Sequence, residues 1–117
     1  KKSLITASLL AAMSVPAIAE DVKIGVPSWT GAQAMAHLLG AVVEMRIGGT
    51  VDYVPGNNAT IFQGMDQGKG DIDVHPDVWL PNQESFTKKY VDGAGSVVLN
   101  QQPYEGNQGF FFYPPGD

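Results

Sequence analysis

Three observations predict an α/β fold with a mainly parallel sheet flanked by helices. Short β-branched or alternating runs recur along the chain. Segments of helical periodicity separate them. Glycine and proline fall at the junctions. The order reads β-α-β-α-β-α-β, as in a lobe of a layered α/β protein whose crossovers are right-handed.

Each element has a local reason. Residues 22–26 (VKIGV) are apolar and β-branched at three positions and are ended by Pro27, which reads as a buried strand. From 32 to 47, Ala32, Met35, Ala36, Leu39, Val42, Val43 and Ile47 recur at three- and four-residue steps and make one apolar helix face. Thr30 is the expected N-cap, and Gly48-Gly49 the stop. Residues 50–54 (TVDYV) alternate as a second strand, punctuated by Pro55-Gly56. Asn58 or Thr60 can cap a second helix running to about Gln67, ended by Gly68 and Gly70. Residues 71–74 (DIDV) read as a third strand. A loop between Pro76 and Pro81 carries Trp79. A third helix is expected over 82–91, with Phe86 and Tyr90 one turn apart, and strands over 96–99 and 109–113. The chain runs out at Pro114-Pro115-Gly116-Asp117 without a closing helix, so the expectation is a truncated lobe.

The first nineteen residues are set apart as a leader. Lys1 and Lys2 precede an apolar run from Leu4 to Val15. Pro16 breaks the run, and Ala17-Ile18-Ala19 supplies a small-residue cleavage signal. The run is too short to span a bilayer. Cleavage is expected after Ala19, which makes the localisation periplasmic. It leaves five basic against twelve acidic residues, a net charge near −7. Such an acidic chain lacks the basic face that nucleic acid requires. With 117 residues there is room for one domain, and with no cysteine there is neither a disulfide framework nor a thiolate metal site.

Two loops carry the candidate chemistry. In open α/β sheets, ligands bind beyond the carboxyl ends of the strands. The first loop is Pro27-Ser28-Trp29-Thr30-Gly31, just ahead of a helix N-terminus whose free N–H groups favour an anionic group. Trp29 there can offer a π face to a cation, or pack on the helix as ordinary core. The second loop follows the third strand: His75-Pro76-Asp77-Val78-Trp79-Leu80-Pro81. Two tryptophans on neighbouring loops can build an aromatic cage. Such a cage suits quaternary ammonium, which has no N–H to donate. Asp71, Asp73, His75 and Asp77 alternate, but one histidine with scattered aspartates is no specific metal signature, and a turn or solvated edge explains them as well. No metal site and no cofactor is expected. Ser28, Ser85 and Ser96 lack a nucleophile-elbow context, so no catalytic residue is assigned.

The segments VKIGVPSW (22–29), GKGDIDVHPDVWLPNQ (68–83) and KKY (88–90) resemble the glycine betaine/proline-type, OpuAC-like substrate-binding proteins of ABC importers. The D-x-W-L-P element is the most specific of them. The resemblance implies the first lobe of a type II periplasmic-binding-protein fold over residues 20–117, ending near the crossover to a second lobe. It implies a monomeric, non-catalytic receptor for glycine betaine or a related quaternary-ammonium or zwitterionic solute, and a membrane permease as partner. It places Trp79 against the ligand's ammonium group, with Trp29 beside it. Ser28, Asp77, His75 and Asn57, with its neighbour Asn58, are candidates by their position on the same loops. His75-Pro76 departs from the apolar pair usual before D-x-W, which points to a subfamily with its own ligand. Two other readings stand beside this one: a truncated, non-functional fragment of such a receptor, and a hydrolytic enzyme using the Asp/His strand.

Overall fold

The computed structural model describes residues 21–112 and Pro114. The expected leader at 1–19 lies outside the described residues. Strand β1 spans Asp21–Val26 and pairs in parallel with β2, Thr50–Pro55, in a register that runs from Asp21↔Thr50 to Val26↔Pro55. Between them lies α1, Thr30–Val42, extended by a π-helical turn over Val43–Ile47. Helix α2 spans Asn58–Asp66. The short α3, Glu84–Thr87, runs into a second π-helical turn over Lys88–Gly93.

Strand periodicity fixes which helix covers which face. Successive residues of a strand point to opposite sides. Ile24 and Tyr53 are in register and share one side. The Tyr53 hydroxyl sits against the Cα of Gly40 in α1, so α1 covers that side. Ala32, Ala36 and Gly40, one turn apart and all buried, let the helix approach closely. Gly25 faces the other way. A Cβ there would meet Ile61 of α2 at 2.6 Å, so α2 packs directly on the strand's backbone. Ile24, Ile61 and Phe62 are fully buried, and Phe62 stacks on Phe86 at 5.2 Å and on Tyr90 at 5.8 Å between ring centroids. Helices therefore sandwich a parallel sheet, as the sequence predicts.

Several elements differ in detail. Trp29, not Thr30, takes the N-cap position of α1. It is in extended conformation and makes no side-chain cap bond; its carbonyl accepts from Gln33 N at 3.1 Å. Of the expected apolar face, Ala32, Ala36 and Val43 are buried but Val42 and Ile47 are exposed. The π-helical turn explains Ile47: its wider i→i+5 spacing carries later residues out of the 3.6-residue phase. Gly48, at φ 75°, closes that turn. Asn57, rather than Asn58 or Thr60, caps α2, its Oδ1 accepting from Thr60 N at 2.9 Å.

The expected third strand is reduced to one parallel bridge, Ile24↔Val74, with Gly25 N donating to Val74 O at 2.9 Å. Lys23 N donates to the side chain of Asp73 instead of to a backbone carbonyl, and Pro76 has no N–H to continue a ladder. The expected strand at 96–99 does not form. Ser96 N and Val97 N both bond the carbonyl of Tyr90, so these residues finish the helical turn. Phe110, Phe111 and Phe112 are irregular and fully exposed rather than a strand; Tyr113 lies outside the described residues.

Candidate ligand-binding site

The carboxyl end of β1 and the residues after Val74 deliver the two tryptophan loops to one edge of the sheet. Their side chains meet at a single atom. Oδ2 of Asp77 accepts from Trp29 Nε1 at 2.7 Å and from Trp79 Nε1 at 3.0 Å. The two indole nitrogens are therefore no more than about 6 Å apart, each within hydrogen-bond reach of one oxygen. Asp77 is only 8% exposed. An N–H donated to a carboxylate is a strong, charge-assisted bond, and two of them fix both indoles at their polar edge.

A second chain of bonds ties this loop to α2. Asp77 N donates to His75 Nδ1 at 3.2 Å, which makes Nδ1 an acceptor. The proton then sits on Nε2, which donates to Asn58 Oδ1 at 2.9 Å. The ring lies 5.4 Å from Phe62 and 6.2 Å from Trp29 between centroids. Burial among these rings pulls the His75 pKa down from 6.5 to about 4, against an opposing pull from the Asp77 charge. His75 is therefore a neutral strut at pH 7 with both ring nitrogens engaged. Asp71 and Asp73 are exposed, and Asp73 is spent on Lys23 N. Among the described residues, no group of three or more His, Asp or Glu side chains converges as a metal site.

A cavity of about 630 Å³ opens beside this loop. Trp79, Asp77, His75 and Phe62 line it, together with Leu99, Tyr104 and Gly106 among others. A Cβ at Gly106 would lie 2.8 Å from the Trp79 ring, so the chain crosses the indole where it has no side chain.

Three of the six sequence candidates, Trp79, Asp77 and His75, thus line one cavity. Trp29 joins them through Asp77 but does not line that cavity. Ser28 and Asn57 lie apart, in a second cleft of about 390 Å³ with Gln33 and Gly56. Asn57 is also occupied in capping α2. Sequence reasoning missed Phe62 and the wall from Val97 to Gly106. The Phe62 position was legible only as helix periodicity, and the wall carries no local signal.

A parallel α/β lobe that gathers two indoles around a buried carboxylate at its carboxyl edge, next to a cavity of small-molecule size, is a ligand-binding lobe. The sequence model of one family, the substrate binding domain of ABC-type glycine betaine transport systems, matches residues 20–113. The chain belongs to this family, and its lobe to the type II periplasmic-binding-protein fold. Domains of the family bind solutes for ABC transporters, typically outside the cytoplasm and generally without catalysis. No curated protein and no solved structure gives a significant match to the chain.

Proposed function

We propose that this chain is the solute-binding component of an ABC importer for glycine betaine or a related quaternary-ammonium or zwitterionic solute. In this reading it is exported, loses residues 1–19, and works in the periplasm as a non-catalytic monomer that delivers its ligand to a membrane permease. The observation that carries it is the pair of indoles pinned to Asp77 at the sheet's carboxyl edge. Trp79 lines the cavity, and a trimethylammonium group against an open part of its ring would gain cation–π and dispersion energy without needing N–H donors. A facing lobe would close over the ligand and exclude water.

The test uses the processed protein recovered from its native host. N-terminal sequencing should begin at Glu20. Tryptophan fluorescence, titrated with glycine betaine, choline and proline betaine, should shift saturably with no chemical turnover of the solute. Trp79→Ala should weaken binding about five- to thirtyfold, since a desolvated cation–π contact is worth about 1–2 kcal/mol. No binding by any of these solutes, or metal-dependent hydrolysis of an ester, would remove the transport reading. Unchanged affinity in the variant would remove Trp79 from the site.

A further inference from the structure

We propose that the Asp77 carboxylate is the counter-charge of the bound quaternary ammonium group, so that the site selects solutes bearing that fixed positive charge over molecules of the same shape with a neutral carbon in its place. This rests on the solute-binding reading above and extends it to the basis of selectivity.

The geometry carries it. Asp77 is buried, yet among the described residues no lysine or arginine pairs with it: the ion pair those residues form is Lys88–Glu84, exposed, between α3 and the π-helical turn that follows it. Its nearest titratable neighbour, His75, offers no positive charge, because Nδ1 accepts from the Asp77 amide and Nε2 donates to Asn58. What Asp77 does have is two indole N–H dipoles on one oxygen. These dipoles occupy Oδ2 but do not cancel the carboxylate's charge. A carboxylate removed from water without a cation is unfavourable, and a cation brought nearby relieves it. Asp77 lines the same cavity as Trp79, so a cation against that ring is also close to this charge.

The two hydrogen bonds add a second effect. A negative acceptor on each N–H polarises the indole and makes its ring face more attractive to a cation. Because Oδ2 is already held by two donors, a ligand needs to bring charge rather than an N–H to this atom. Asp77 therefore acts as a positioning residue for both indoles and as a specificity determinant.

Charge and shape are separated by isosteric pairs. Glycine betaine is compared with 3,3-dimethylbutanoate, and choline with 3,3-dimethylbutan-1-ol, by calorimetry on the processed protein. The wild type should prefer the cation of a pair by tenfold or more, the scale set by one unit charge several ångströms away at an intermediate dielectric. Asp77→Asn keeps an oxygen that can accept from both indoles but loses the charge. It should weaken cation binding on the order of tenfold, leave isostere binding nearly unchanged, and keep the near-ultraviolet circular dichroism of the indoles. Asp77→Ala should in addition alter that spectrum. Wild type without a preference for the cation overturns the proposal, whatever the variants do. So does Asp77→Asn with the wild-type preference intact. Wild type that binds no member of either pair brings down the transport reading itself, and this proposal with it.

Discussion

Stability should fall in mildly acidic solution because of one side chain. His75 is packed between Phe62 and Trp29, and burial lowers its pKa to about 4 from an ordinary 6.5. Above pH 6.5 the imidazole is neutral both folded and unfolded, and its packing is fully stabilising. Between 6.5 and 4 the unfolded chain binds a proton that the folded chain refuses, so the stability of the folded state drops as pH falls through that window. Linkage over the full shift amounts to about 3 kcal/mol, at 1.36 kcal/mol per pKa unit. At pH 5 the loss would be about 2 kcal/mol, and solvent access to the half-buried ring trims it to roughly 1–2.

Carboxylates contribute their own pH dependence, so the informative quantity is a difference. Urea unfolding of wild type and His75→Gln, followed by circular dichroism at pH 7.5, 6 and 5, isolates it. The variant lacks the titrating group, and its stability should decline less by about 1–2 kcal/mol between pH 7.5 and 5. Curves that stay parallel across this range would mean that His75 is solvated in the folded protein. The hydrogen-bonded chain from Asn58 to Asp77 would then not hold.

Three further substitutions test the packing. Phe62→Ala removes the ring around which Phe86, Tyr90 and His75 gather and should cost about 3–5 kcal/mol, read as a lowered urea midpoint; a loss under 1 kcal/mol would show that the cluster can collapse around the gap. Gly25→Ala places a methyl 2.6 Å from Ile61 and should cost roughly 1–3 kcal/mol in the same assay, because the clash is at a branch near the backbone rather than at a flexible tip. Asn57→Ala removes the cap of α2 and should cost about 1 kcal/mol, with solute affinity unchanged if Asn57 only caps.

What could be read from the sequence follows the range of the interactions involved. β1, α1 and β2 are each specified within a dozen residues, by β-branching, helical spacing and a closing glycine or proline, and they appear where those signals put them. The later strands fail for non-local reasons. Residues 71–74 alternate as a strand should, but Asp73 spends its side chain on the neighbouring strand's amide. Residues 96–99 have strand composition, but Tyr90's carbonyl claims two of their amides. For the site, loop position was enough to bring forward both tryptophans and the Asp77 loop. It could not show that both indoles share one oxygen, since Trp29 and Asp77 are 48 residues apart. Nor could it separate Ser28 and Asn57, which sit on the same sheet edge but line a different cleft.

The loop from Val74 to Pro81 answers to both the core and the cavity, and this couples binding to folding. Val74 bridges β1, His75 bonds α2, and Asp77 holds an indole from the loop that starts α1. Cavity-lining residues and residues that fasten the loop to core elements thus lie within three positions of one another. Displacing Asp77 would loosen the N-terminal end of α1 as well as the Trp79 ring. Conversely, a cation that relieves the buried charge favours the very arrangement in which both indoles and both helices are in place. A cognate solute should therefore stabilise wild type by mass action, by about 2.7 kcal/mol at one hundred times its Kd, read as a raised unfolding midpoint. In Asp77→Asn the same solute concentration should give much less, because the weaker affinity leaves a smaller multiple of Kd.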